Sequence, residues 1–366
     1  MREKAEEEGV PMWLSVNMQR VVEFLVGLLE TPSPTGYHEE AMRYVRERMD
    51  GLSLEGLALS ETNKGALICT WPGERDDAPR AVSAHVDTLG AMVRELKPNG
   101  RLLMTQIGGY AWQSVEGENV TVISVSSGNR HTGTVQTVTP SVHTSEDADK
   151  GKREDERMEV RLDARVSTRE ETAALGIEVG DLIAFAPRVT VTPTGYVKSR
   201  HLDDKAGVAV IYGALMTMRD LGLRPAQTTS FFISNYEEVG HGASAGVPAA
   251  AKELLVIDMA AATTGEHQNS DEYSVGICAK DSSGPYDLGV RQKLTRLCRE
   301  HQIPHRVDTF PHYGSDGSAL LRAGGDVRVG LIGPGVDASH AYERTHRDSL
   351  DATISLLIRY LLDPSA

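Results

Sequence analysis

The sequence predicts an α/β fold, a mostly parallel sheet covered by helices on both faces, into which a small β-barrel-like module is inserted. Three observations carry this reading. Apolar strand-like runs alternate with helical patterns near both ends of the chain, as in parallel strands joined by crossover helices. Between residues 92 and 198 the pattern changes to short strand candidates separated by glycine turns. Finally, several acids and histidines stand at the ends of apolar runs, where open α/β sheets collect ligands.

Residues 18–30 place Val21, Val22, Phe24, Leu25, Leu28 and Leu29 at helical spacing, and Thr31-Pro32-Ser33-Pro34 stops that helix. A second helix is expected from near Thr35, carrying Ala41, Met42, Tyr44 and Val45. Strands are expected at 66–71 and 81–86. In the insert they are expected at 91–96, 102–106, 120–125, 133–138, 158–162 and 182–185. Residues 145–157 are charged and almost without apolar side chains, which reads as an exposed loop. The α/β texture resumes at His201, with helices at 206–218, 290–301 and 349–362 and strands at 228–234 and 254–258. Residues 1–91 and 199–366 therefore form the α/β domain and 92–198 the all-β insert.

Lys+Arg 38 against Asp+Glu 52 leaves a formal charge of −14, which argues against nucleic acid, whose binding is built from clustered cations. Residues 1–9 lack the apolar core of a signal peptide, and no run of 18 apolar residues occurs. The expectation is a soluble, cytoplasmic protein without a membrane partner. Cys69, Cys278 and Cys298 contain no Cys-x-x-Cys pair, so they read as reduced packing residues rather than a disulfide framework or thiolate site.

Five segments carry the candidate chemistry: Ala84-His85-Val86-Asp87, Leu202-Asp203-Asp204-Lys205, Tyr236-Glu237-Glu238-Val239-Gly240, Val256-Ile257-Asp258 and Ser339-His340. Singly, each is more often a cap or a loop hydrogen-bonder. Together they supply what a hydrolytic metal pair about 3.5–4 Å apart requires, namely a bridging carboxylate, terminal ligands and a free base. His85 and Asp87 share one face of a strand, so Asp87 can accept from the imidazole and fix the metal-binding tautomer. Two adjacent acids at a helix start exceed the needs of capping, which makes Asp203 the bridging candidate. Of the neighbouring Glu237 and Glu238, one can bind metal while the other, raised by its like-charged neighbour, serves as base. Either His340 or His346 could complete the set.

Gly242-Ala243-Ser244-Ala245-Gly246 fits a nucleophile elbow, and Ser244, Asp258 and His340 follow the serine, acid, histidine order of a serine hydrolase. Ser244 stands too far beyond its strand for an elbow, so this is the runner-up mechanism. A non-catalytic scaffold or peptide-binding protein is the alternative from another class. Asp316, in Gly314-Ser315-Asp316-Gly317, reads as a turn former or a partner for a substrate amine.

These segments, with Pro32-Ser33-Pro34-Thr35-Gly36, Ala174-Leu175-Gly176-Ile177 and Val179-Gly180-Asp181, resemble the glutamyl and tetrahedral aminopeptidase family of dinuclear zinc metallopeptidases over nearly the whole chain. The resemblance implies a zinc-exopeptidase-like fold. It implies that His85, Asp203 and Asp258 hold one metal and Asp203, Glu238 and His340 the other. Glu237 is implied as general base; Asp87, placed beside His85 by the spacing, is the second catalytic candidate. Two divalent ions per chain are implied, zinc or cobalt, with a dimerising insert, a tetrahedral homo-dodecamer and short peptides as substrates. Lys205, Met259-Ala260-Ala261 and residues 336–343 depart from the usual family pattern. The last, with Asp281-Ser282-Ser283-Gly284-Pro285, is similar to a subgroup linked to synthesis of the osmoprotectant N-acetylglutaminylglutamine amide. The expected reaction is removal of N-terminal residues from short peptides, or cleavage of a small peptide-like amide.

Overall fold

A computed structural model describes residues 14–263 and 267–365; residues 1–9, on which the signal-peptide reading rests, lie outside the described residues. Four strands form the centre of a 13-stranded sheet, in the order Gln227–Ser234, Arg75–His85, Glu253–Ile257 and Arg328–Asp337. All three pairings among them are parallel. Antiparallel strands flank this centre, with Leu67–Trp71 on one side and Glu343–His346 and Tyr196–Ser199 on the other.

Alternation along these strands sorts side chains to two faces. Val82, Ala84, Leu255 and Ile257 join the large core beneath the helices Met18–Leu29, Leu202–Asp220, Leu288–Glu300 and Arg347–Leu362. Ala81, Leu254, Val256, Val329 and Leu331 face the other way, against Tyr286, Phe310 and the short helix Asp316–Arg322. Among the described residues no helix is long and apolar enough to cross a membrane. Cys69, Cys278 and Cys298 are free and buried, and burial pushes each thiol up to about 12.

Six strands between Gly90–Leu96 and Leu182–Phe185 close into a barrel around Val93, Met104, Val122, Val135, Val160 and Ile183. The insert is shorter than the predicted 92–198. Thr190–Val191 and Tyr196–Ser199 return to the main sheet through Glu343–His346, and no change of composition marks that return. The charged segment 145–157 is also more ordered than a solvated loop. It contains the helix Asp147–Lys150 with Ala148 buried, and Arg153 grips Glu116 with two bonds of 2.7 and 3.0 Å. Its charges pair with one another and with the barrel, which charge density alone does not reveal.

Gly333-Pro334-Gly335 has the residue types of a turn, yet lies inside the central strand Arg328–Asp337. A Cβ on Gly333 would sit 1.7 Å from the Asp258 carbonyl oxygen, and one on Gly335 1.9 Å from that of Asp271. These glycines answer a close approach between backbones, the use of glycine in a strand that local pattern cannot separate from a turn.

Candidate active site

The sheet delivers three of the expected groups to one edge. His85 is the last residue of Arg75–His85, Asp258 follows Glu253–Ile257, and Glu237 and Glu238 lie just beyond Gln227–Ser234. Asp203 and Asp204 enter from the helix Leu202–Asp220, whose first turn is not helical: His201 has φ +71°, and the Asp203-Asp204 peptide is cis. Lys205, one residue on, reaches the Thr31 carbonyl at 2.7 Å and ties this entrance to the end of the first helix. His340, with φ +64°, completes the ring from the loop after Arg328–Asp337.

The two oxygens of Asp203 face different histidines. Oδ1 is 3.4 Å from His85 Nε2 and Oδ2 is 3.3 Å from His340 Nε2. Glu237 Oε2 lies 3.6 Å from His85 Nε2, and Glu238 Oε2 lies 3.5 Å from His340 Nε2. The His85 Nδ1 lies 3.0 Å from the backbone carbonyl of Asp87, to which it donates in the tautomer that leaves Nε2 free, and 3.5 Å from the Asp87 carboxylate. That carboxylate also accepts the N–H groups of Glu237 and Glu238 at 3.1 and 3.3 Å and the Thr35 hydroxyl at 2.8 Å. Asp87 therefore anchors the Glu237 loop as well as orienting His85, a double duty that His-x-Asp spacing did not announce.

Two groups bring their ligand atoms within 4.8 Å of one another: His85 with Asp204 and Asp258, and His85 with Asp203 and Glu238. The first contains Asp204 where the resemblance implied Asp203. Asp204 already accepts the N–H of His85 at 3.2 Å and that of Gly207 at 3.1 Å, whereas among the described residues the Asp203 oxygens meet the side chains of His85, His340 and Ser339. Asp203 is thus the more open of the pair. His85 Nε2 and Glu238 Oε1 are buried without a hydrogen-bond partner among the described residues. Buried polar atoms are ordinarily satisfied, so two orphans facing a shared space fit a cation. An all-nitrogen and oxygen donor set suits zinc and its first-row neighbours.

The electrostatics agree with a site short of positive charge. Burial holds the Glu237 and Glu238 carboxyls well above the usual range, helped by Asp258 and Asp316 for the first and by Asp203 for the second. Burial and the neighbouring Asp203 push Asp258 up to about 7. Burial opposes the charge on His340, but Asp203 and Glu238 overcome it and raise the imidazole to about 10. Burial likewise works against the Asp203 carboxylate, which His340 and His85 nevertheless hold low. Carboxyls raised in this way hold protons more readily, and a cation bound beside them would displace those protons.

Two further acids brace the site: Glu343, which the sequence reading did not single out, and Asp316, which it read as a turn former or a partner for a substrate amine. Glu343, 2% exposed, accepts the backbone N–H of His340 at 3.0 Å and that of Asp203 at 3.1 Å, joining the two segments. Asp316, also 2% exposed, accepts the Ser234 hydroxyl at 2.5 Å and the Ala243 N–H at 2.8 Å, which clamps both ends of the Glu237 loop. Neither carries a signal beyond its residue type, because their partners are remote in sequence. Of the two candidate histidines, only His340 reaches the site. His346 caps the last helix, its Nδ1 accepting the Asp348 N–H at 3.1 Å while Nε2 lies 2.8 Å from the Thr194 carbonyl.

The serine triad is not assembled. The half-buried Ser244 donates to the His241 carbonyl at 2.8 Å and lines an open groove with His38, Lys64 and Tyr236. Asp258 and His340 instead line a separate cleft of about 430 Å³ with Asp203, Glu237 and Glu238.

The profile of the family described as M42 glutamyl aminopeptidase matches residues 65–356. YhfE of Bacillus subtilis (strain 168), provisionally named an aminopeptidase, is 44% identical over 95% of this chain and 99% of its own length. The lysyl aminopeptidase of Pyrococcus furiosus is 25% identical over 81% of this chain and 84% of its own. The structure of a TET aminopeptidase from a marine sediment thaumarchaeote superposes with a TM-score of 0.85 at 20% identity, covering 93% of this chain and 96% of that one. That of the Pyrococcus horikoshii TET1 peptidase, described as assembling into a tetrahedron or a large octahedral shell, gives 0.79 at 20% identity, covering 94% and 99%.

Proposed function

This chain belongs to the M42 glutamyl aminopeptidase family and is a peptidase, and we propose that it is a dinuclear-metal aminopeptidase acting on short peptides. The observation that carries this reading is Asp203, whose two oxygens face His85 and His340 beside the orphaned His85 Nε2 and Glu238 Oε1. His85, Asp203 and Asp258 would hold one divalent ion and Asp203, Glu238 and His340 the other, zinc or cobalt by donor type. Bound there, the ions would acidify a water and polarise the scissile carbonyl.

The remaining work falls to side chains of this chain. Glu237 takes a proton from the attacking water and passes it to the departing amine as the carbon–nitrogen bond breaks. Its raised affinity for a proton suits both halves of that transfer. Asp87 holds the Glu237 backbone and Asp316 ties down the ends of its loop, so the carboxylate keeps its place beside His85. The segments 281–285 and 336–343 keep a small peptide-like amide on the substrate panel.

By likeness to the TET1 assemblies we extend the proposal to a homo-oligomer, a tetrahedral dodecamer built from dimers that are joined through the barrel. The reading places it in the cytoplasm, in keeping with three buried free thiols. The test is metal content per chain, for protein as purified and after incubation with zinc or cobalt and removal of excess. Two equivalents, reduced in Asp203→Ala, support the dinuclear site, and no bound metal under either condition refutes it.

A further inference from the structure

We infer that Arg322 selects short peptides by binding their C-terminal carboxylate, a reading that rests on the aminopeptidase assignment and narrows its substrate class. The charges lining the cleft are sorted by depth. Asp203, Glu237, Glu238 and Asp258 line its interior, with Asp203 and Asp258 only 6% and 3% exposed. Arg322 lines the same cleft but is solvent-exposed. Among the described residues its guanidinium has neither a hydrogen-bond nor an ion-pair partner. Metal chemistry and acids at the floor with a free cation at the mouth match the polarity of a small zwitterionic peptide, with its reacting end inside and its carboxylate outward.

The arginine's place in the backbone is also fixed. It ends the helix Asp316–Arg322, which is closed by a capping box at Ser315 and bolted through Asp316 to both ends of the Glu237 loop. Six helical steps separate Asp316 from Arg322, about 9 Å at 1.5 Å per residue. The cleft volume of about 430 Å³ lies in the lower part of the roughly 300–1,000 Å³ range of small-ligand sites. A guanidinium fork meets a carboxylate with two parallel hydrogen bonds, which neither an amide nor a continuing chain can reproduce.

The experiment compares metal-loaded wild type, Arg322→Gln and Arg322→Lys on a leucine-first tripeptide, as the free acid and as its C-terminal amide. Two further substrates, amidated tripeptides beginning with Glu or Gln, separate a side-chain carboxylate from the terminal one. Wild type should prefer the free acid by at least about tenfold in kcat/KM, chiefly through KM. Arg322→Gln should erase that preference while leaving amide hydrolysis and metal content unchanged, and Arg322→Lys should keep part of it. Equal rates on acid and amide in wild type, or a preference that survives Arg322→Gln, would overturn the inference. A Glu-over-Gln preference lost in Arg322→Gln, without dependence on the C-terminal cap, would give the arginine to a side chain and overturn it as well. If metal-loaded wild type hydrolyses no peptide, the aminopeptidase assignment itself fails. Calorimetric binding of acid and amide to Glu237→Gln then still decides whether Arg322 reads the carboxylate.

Discussion

The central parallel strands end in two opposite arrangements of buried charge. At their amino ends Arg80, Glu253 and Arg328 stand in register on adjacent strands. Glu253 accepts from Lys293 at 3.0 Å through both oxygens, from Arg328 at 2.9 Å and from the Tyr360 hydroxyl at 2.9 Å. Arg80 donates to the carbonyls of Tyr360, Asp363 and Ser365 at 2.7, 2.9 and 2.7 Å, fastening the C-terminal segment. At the carboxyl ends of the same strands acids outnumber bases, and His85 Nε2 and Glu238 Oε1 find no hydrogen-bond partner among the described residues. Buried charge persists only when paired. Where the protein supplies the partners the cluster is structural, and where it withholds them the cluster is suited to a cation from outside.

The largest expected effect tests the withheld end. Glu237→Gln should keep its metals and lose turnover by about 10²–10⁴-fold, the range for a positioned acid–base group; steady-state kcat with metal analysis checks this, and near-normal kcat would remove Glu237 from the mechanism. The second tests the satisfied end. Glu253→Ala leaves the buried Lys293 and Arg80 without their carboxylate and should cost about 3–5 kcal/mol in denaturant unfolding, with metal content at saturating zinc unchanged. Loss of metal with stability intact would abolish the contrast between the two ends.

A smaller effect follows from stripping the metals. Zinc restored at a hundred times its dissociation constant should stabilise the chain by about 2.7 kcal/mol per site, and the accompanying rise in Tm should shrink in Asp203→Ala. An equal rise in both proteins would mean that zinc binds elsewhere. The smallest is Ser244→Ala, which should leave kcat unchanged and shift stability by less than about 0.5 kcal/mol; a collapse of activity would revive the serine mechanism.

Much of the active end was legible in the chain, because acids and histidines that terminate apolar runs are a local signal. His85, Glu237, Glu238 and Asp258 could be placed from the length of the run before them. The amino end was not legible, since Glu253 beside Lys252 looks like the solvated lead-in to a strand, and its burial depends on Arg80, Lys293 and Arg328 arriving from other elements. Gly333 and Gly335 misled for a related reason, because the backbone that forbids their side chains belongs to Asp258 and Asp271. The Ser244 motif had the right order of residue types, yet order along a chain does not bring side chains into one cleft.

Residue chemistry and hydrophobic period along the chain were enough to define the α/β class, the presence of an inserted β module and the pool of metal-binding candidates, because each is a property of neighbours in sequence. Folding alone decided that Asp203 spans His85 and His340, that His346 caps a helix instead, that Glu343 and Asp316 brace the site, and that the insert closes at Phe185. Those outcomes depend on strand order and on which loops meet at the sheet edge. They are set by contacts between segments far apart in sequence, to which local periodicity is blind.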